Sequence, residues 1–186
     1  MTQPGNKGNA ASTLARVMVE GEADDSQAAE VFRHLRESGR EPGTLHRVLA
    51  STPAILAAHY RLAMTLRHEC SLDRRFSELA ILRTTQLEGG AYPFAAHLRH
   101  ARAAGVTEDQ IANVGNWATC GAFDAVEKAV LAYVDALAER RTVPDDIFVG
   151  ISDHLAPSQI VELTAIVGFY VSAARLSCGL AMRHAQ

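Results

Sequence analysis

The sequence predicts an all-α fold, a helical bundle of eight or nine helices, on three observations. Apolar residues recur at three- and four-residue intervals through most of the chain, as helices with one buried face require. No stretch alternates apolar and polar residues between turn signals at hairpin spacing, the pattern that would mark strands. Start and stop signals recur at helix-sized intervals, and the short connections between them favour antiparallel packing of successive helices.

The elements follow in order. Residues 1–22, with Gly, Asn and Ser and weak periodicity, read as a flexible tail ahead of one domain over 23–186, although Leu14, Val17 and Met18 can form a helical turn. Helical patterning begins near Asp25 and carries Val31, Phe32 and Leu35 to a stop at Gly39. After the Pro42-Gly43 break, Leu45, Val48 and Leu49 mark a short helix. Ser51-Thr52-Pro53 opens the next, with Pro53 at the first helical position and a stripe of Ile55, Leu56, His59, Leu62, Ala63 and Leu66. Ser71 or Asp73 caps a helix from about Arg74 to Glu88, ended by Gly89-Gly90.

Another helix runs from Tyr92-Pro93 to Gly105. Thr107 and Gln110 have capping-box spacing, and Asp124 caps a helix bearing Val126, Val130, Leu131, Val134 and Leu137. A short helix spans roughly Asp145 to His154, and Ala156-Pro157-Ser158 opens the last one, to about Met182. That helix is apolar nearly all round, with Leu163, Ile166, Val167, Phe169, Tyr170, Val171 and Leu176. It must be covered on most sides, part of the cover coming from another subunit.

Composition narrows the function classes. The chain has 186 residues, 48% hydrophobic and 21% charged, with a formal net charge of -3. It lacks the basic stripe expected of a nucleic-acid binder. The longest apolar run, Leu163 to Ala174, is short for a bilayer span and is bracketed by Glu162 and Arg175. The three cysteines, Cys70, Cys120 and Cys178, are far apart and form no CxxC. A reduced, cytoplasmic protein without nucleic-acid or membrane partners is the expectation.

No phosphate-binding glycine loop, HExxH pair, zinc-spaced Cys/His set or nucleophile elbow is present, so neither a metal nor a cofactor is expected. The stretch from Ser77 to His100 is the one place where chemistry concentrates. Glu78 begins an apolar helix that also carries Arg83 and Gln86, and His97 and His100 share a face of the next helix. In an antiparallel pair Glu78 can reach His97 or His100, and a carboxylate beside an imidazole sets its tautomer and supports proton transfer near neutrality. Arg83 and His100 are candidate anchors for a substrate carboxylate, and Tyr92, Phe94, Leu82 and Trp117 candidate walls of an apolar pocket for a small molecule. Spacing alone names no enzyme. A Glu at a helix start ordinarily pairs with the helix dipole, and a lone His is ordinarily surface or satisfied core.

This stretch resembles the carboxymuconolactone decarboxylase family, within the alkyl-hydroperoxidase D-like superfamily. The resemblance lies in "ELAILRTTQ" at Glu78–Gln86, the glycine turn, "AYPFAAH" ending at His97, and "ARAAGVTEDQI" at Ala101–Ile111. Flanking helices extend it over roughly Glu41 to Met182. It implies an all-α protein assembled as a homo-trimer or homo-hexamer. The peroxidase branch pairs a Glu with a CxxC and a following His. Glu78 and His97 match that pattern, whereas the two cysteine positions fall on Gly90 and Pro93, so thiol peroxidase activity is not expected. What the resemblance implies is a cofactor-free lyase on a small unsaturated or lactone-like acid. His97 would donate the proton and Glu78 would orient it. Isomerisation or hydrolysis could use the same parts, and a non-catalytic binding protein that kept the fold is the alternative.

Overall fold

Helix α4, Arg74–Leu87, is the axis around which the chain is built. Eight of its residues are buried, six of them the consecutive run Ser77–Leu82, because helices pack on several sides of it: α5 (Ala91–Ala103), α7 (Ala125–Asp135) and α9 (Pro157–Gly179). The computed structural model describes residues 14–17, 26–140 and 142–184. Its remaining helices are α1 (Ser26–Glu37), α2 (Thr44–Leu49), α3 (Pro53–His68), α6 (Glu108–Asn113) and α8 (Asp145–Ser152). A 3-10 turn, Val114–Asn116, follows α6, and a π-helical turn, Ala136–Arg140, extends α7. Among the described residues there are nine α-helices and no strand, the all-α architecture that the sequence predicts.

The caps act as their chemistry dictates. Asp73, not Ser71, caps α4, accepting the Arg75 N–H at 2.7 Å. Ser71 instead gives its N–H and hydroxyl to Glu162 on α9. Thr107 and Gln110 exchange the two bonds of a capping box, and Asp124 and Glu127 do the same at α7. Gly89 closes the α4–α5 turn with a φ of 67°, a conformation that only glycine adopts freely.

Most of the expected 1–22 tail lies outside the described residues. The described piece, 14–17, is docked on the C-terminal segment: Arg16 N–H donates to the Leu180 carbonyl and Arg183 N–H to that of Leu14, with Ala15 buried.

Helix α9 is longer than the apolar run within it. At 23 residues it is long and apolar enough, by length and composition, to cross a membrane. Here its inner stripe, which includes Ile160, Leu163, Val167, Tyr170 and Ala174, is buried. The outer face is left open. Val161 is 68% exposed, and Ala165, Gly168 and Ser172 line a shallow apolar groove with Ile55, Ala58 and Leu62 of α3.

Candidate active site

The site grows from the first turns of α4. Arg74 lies one helical turn before Glu78 and pairs with its Oε1. Glu78 is fully buried, and its Oε2 meets Nδ1 of His97 on α5 at 2.7 Å. The other ring nitrogen, Nε2, lies 2.9 Å from the hydroxyl of Tyr170 on α9. His97 is 7% exposed, so both of its nitrogens are used inside the protein. Burial alone would raise the Glu78 pKa. Its hydrogen bond and electrostatic attraction to His97, then Arg74 and His100, outweigh that and hold the carboxyl below its ordinary range. An ionised carboxylate only accepts hydrogen bonds, so Nδ1–H donates to Glu78. In the neutral ring Nε2 therefore accepts from the Tyr170 O–H.

This chain of groups ends at a cavity of about 190 Å³. Tyr60, Tyr92 and Phe169 supply flat aromatic wall, and Ala63, Met64, Ala96 and Ala173 the apolar remainder. Arg40 and Arg67 supply positive charge, and no Asp or Glu is among the lining residues. Arg40 bonds to Ser38 Oγ, and Arg67 lies 3.5 Å from His100 Nε2. A second, more open pocket shares Arg40, Met64, Arg67 and His100 with this cavity and adds Arg74 and His68.

Three histidines of the wall, His46, His59 and His100, are held toward the neutral form. Burial, then the nearby charge of Arg67, pushes His100 down to about 4. His46 is likewise lowered to about 4, by burial first and then by His59, Arg40 and Arg67, and its Nδ1 accepts the Gly43 N–H. Burial also lowers His59, whose Nε2 is buried without a hydrogen-bond partner. Burial pushes the Tyr170 phenol up to about 12. At neutral pH these three histidines therefore add little positive charge beside Arg40 and Arg67. Among the described residues no three His, Cys, Asp or Glu side chains are grouped to hold a metal.

The structure brings together Glu78, His97, His100 and Tyr92 but leaves Arg83, Phe94 and Trp117 outside the cavity. Arg83 is held by Asp135 through a bidentate pair of 2.6 and 2.8 Å, and Trp117 Nε1 donates to the same carboxylate at 3.0 Å. Five residues beyond Glu78, Arg83 projects from another side of α4. Phe94 is drawn with Leu82 and Trp117 into a separate cluster around Leu79 and Ala101. Tyr92 stays on the wall, its hydroxyl accepting the Leu45 N–H and its ring stacked on His184 at 4.2 Å.

Sequence reasoning missed Arg67, Arg40, His46, His59, Phe169 and Tyr170. Two signals were there to find: His59 stands in an otherwise apolar stripe, and a Tyr buried in an apolar helix needs a partner for its hydroxyl.

At the first position of the missing thiol pair there is no room for a side chain. A Cβ on Gly90 would lie 2.7 Å from the Ala174 Cβ and 3.1 Å from the Ala174 Cα. All three cysteines are free thiols.

Residues 53–136 match the model of the carboxymuconolactone decarboxylase family. The Bacillus subtilis (strain 168) protein YdfG is 29% identical over 119 residues, 63% of this chain and 81% of its own. Among solved structures, a peroxidase-related protein with an alkylhydroperoxidase AhpD core from Ralstonia eutropha JMP134 superposes with a TM-score of 0.82 at 16% identity, over 95% of both chains. A variant of the debrominase Bmp8, in complex with 2,3,4-tribromopyrrole, gives a TM-score of 0.78 at 16% identity over 94% of this chain and 92% of that one. These two likenesses are of fold. With the family pattern matched from α3 to α7 and the helices packed as in the solved AhpD core, the chain is consistent with a member of the carboxymuconolactone decarboxylase and AhpD-like superfamily.

Proposed function

We propose that the protein is a cofactor-free lyase acting on a small unsaturated or lactone-like carboxylic acid by proton transfer through His97 and Glu78. The observation that carries this reading is the buried Glu78–His97 pair at the back of an aromatic cavity whose charged wall residues are arginines. A planar acid fits the aromatic walls. Its carboxylate finds Arg67, in the role for which the sequence offered Arg83 or His100. Loss of CO₂ leaves an electron pair that an unsaturated neighbour takes up as an enolate, and the electropositive wall stabilises that charge. A proton from the His97 relay then completes the product.

The test is a panel of small unsaturated and lactone acids, assayed for CO₂ release and for loss of ultraviolet absorbance. A panel member should be turned over without added cofactor. His97→Gln should remove roughly two to four orders of magnitude in turnover, the span of a general acid. Glu78→Gln should leave a weaker enzyme, and His100→Gln should be milder than either. Near wild-type turnover in folded His97→Gln would sink the mechanism.

The same reading includes assembly as a homo-trimer or homo-hexamer, with a second copy over the open apolar face of α3 and α9, where Ile55, Leu62 and Val161 are exposed. Light scattering should give a stable oligomer. A monomer at micromolar concentration would contradict it.

A further inference from the structure

We infer that the group meeting the substrate is the hydroxyl of Tyr170, with His97 one step behind it as the proton reservoir. The inference rests on the proposed proton-transfer function and names the atom at its front. His97 has no nitrogen to spare: Nδ1 is taken by Glu78 at 2.7 Å and Nε2 by the Tyr170 hydroxyl at 2.9 Å. A substrate touching Nε2 directly would first have to displace Tyr170. That side chain is itself buried on α9, and its ring stands edge-on to the His97 ring at 4.8 Å. Tyr170 lines the cavity and has the Arg67 guanidinium nearby. Glu78, His97 and Tyr170 thus form a carboxylate–imidazole–hydroxyl series in which each group orients the next, the arrangement that activates a terminal hydroxyl in other protein settings.

The bond between the substrate carbon and its carboxylate breaks, CO₂ leaves, and the electron pair stays on the substrate as an enolate. The Tyr170 O–H proton passes to the enolate carbon. At the same time Nε2–H of protonated His97 passes its proton to the phenol oxygen. The phenol is restored, His97 is left neutral with Nδ1–H on an ionised Glu78, and a proton from water resets the ring. No stable tyrosinate forms, as suits a phenol whose burial disfavours the anion. In the reverse sense the same relay removes a proton from a substrate, so isomerisation would use the same front atom.

The test needs no substrate. The probe is 4-nitrophenolate, a planar anion standing for the enolate, titrated near neutral pH, where its binding can bring in the proton that places Nε2–H on His97 and turns the Tyr170 O–H outward, into the full-length protein and followed by its visible absorbance. The wild type should bind it. Tyr170→Phe keeps the ring and the Glu78–His97 pair but removes the donor, and should weaken binding by about 10- to 100-fold, the worth of a hydrogen bond to a charged group. His97→Gln should weaken it less, because Tyr170 still donates. Three results would overturn the inference: no binding to the wild type, unchanged affinity in Tyr170→Phe, or a larger loss in His97→Gln than in Tyr170→Phe. The last would return His97 to the front. Far-ultraviolet circular dichroism of both variants ensures that folded proteins are compared. If the probe discriminates as expected while no acid is turned over, the lyase reading fails and the placement of Tyr170 stands.

Discussion

Among the described residues two glutamates are wholly buried, Glu78 and Glu127, and consecutive arginines serve them: Arg74 pairs with Glu78 and Arg75 with Glu127. The surroundings then diverge. Glu127 receives the Asp124 N–H at 2.9 Å, the Gln110 side-chain amide on both oxygens at 3.0 and 2.9 Å, and Arg75 at 2.7 Å. Gln110 is in turn bound into its own capping box. None of the groups bonded to Glu127 releases or accepts a proton near neutrality, and the network ends in backbone. Glu78 instead leads through His97 to Tyr170 and a cavity. A buried carboxylate alone therefore does not mark a reactive site. What marks one is a partner that can titrate, with a space beyond it for something else to bind.

The comparison breaks most visibly if Glu127 is removed. Glu127→Ala deletes the acceptor for Arg75, Gln110 and the α7 N-terminus together, and should cost about 3 kcal/mol of folding stability. This is the lower end for breaking a buried pair, because the Arg75 side chain keeps 34% exposure and can rehydrate. Urea unfolding measures it. The folded fraction should bind 4-nitrophenolate as the wild type does, since no group around Glu127 touches the cavity. A stability loss under about 1 kcal/mol, or a changed affinity for the probe, would mean that the two glutamates are not separable in the way described.

Much of this was legible in the sequence. Caps, glycine stops and 3.6-residue stripes locate the helices because those signals are local. Thr107–Gln110, for example, needs only its own turn to be recognised. Glu78 and His97 are close in sequence, joined by one glycine turn, so an antiparallel pair brings them together. Tyr170 is 73 residues from His97 and sits in a run of apolar residues, so nothing local distinguishes it from core. Arg67 ends a helix, where a basic side chain ordinarily serves the dipole. Arg83 misled for the converse reason. It shares a helix with Glu78, and only the packing of α7 reveals that Asp135 claims it.

A thiol at the family's first cysteine position sharpens the contrast further. Gly90 has no side chain, and Ala174 of α9 fills the space where one would stand. Ala174 is one helical turn beyond Tyr170 and on the same face, so the close approach at Gly90 and the reach of Tyr170 to His97 depend on one helix position. Gly90→Cys should push α9 outward at a cost of about 1–3 kcal/mol, the range for overpacking. It should weaken 4-nitrophenolate binding, leave the Glu127 network intact, and fail to produce peroxide turnover with a dithiol donor. Sustained peroxide consumption by the wild type that vanishes on mutating Cys70, Cys120 or Cys178 would show those thiols to be reactive after all.

The smallest effect is also the one that isolates Glu78 itself. Its folded carboxyl titrates below the ordinary 4.5, so the folded state favours the ionised form more strongly than the unfolded chain does. A depressed acid contributes stability that is fully present above the unfolded value and is lost as pH falls through the folded one. The wild type should therefore show an extra loss of stability on acidification below pH 4.5, with a slope of at most about 1.4 kcal/mol per pH unit from this single group. Glu78→Gln has no carboxyl to titrate. It should begin less stable at neutral pH, because Arg74 and His97 lose their anionic partner, and then decline less steeply in acid, so that the two curves converge. Unfolding free energies measured by urea at pH values stepped down from neutrality provide the comparison. Parallel curves would mean that Glu78 is no more acidic in the folded protein than in the unfolded chain. In that case the Nδ1–H donor assignment, and with it the role of Nε2 as the nitrogen that exchanges a proton with Tyr170, would lose its basis.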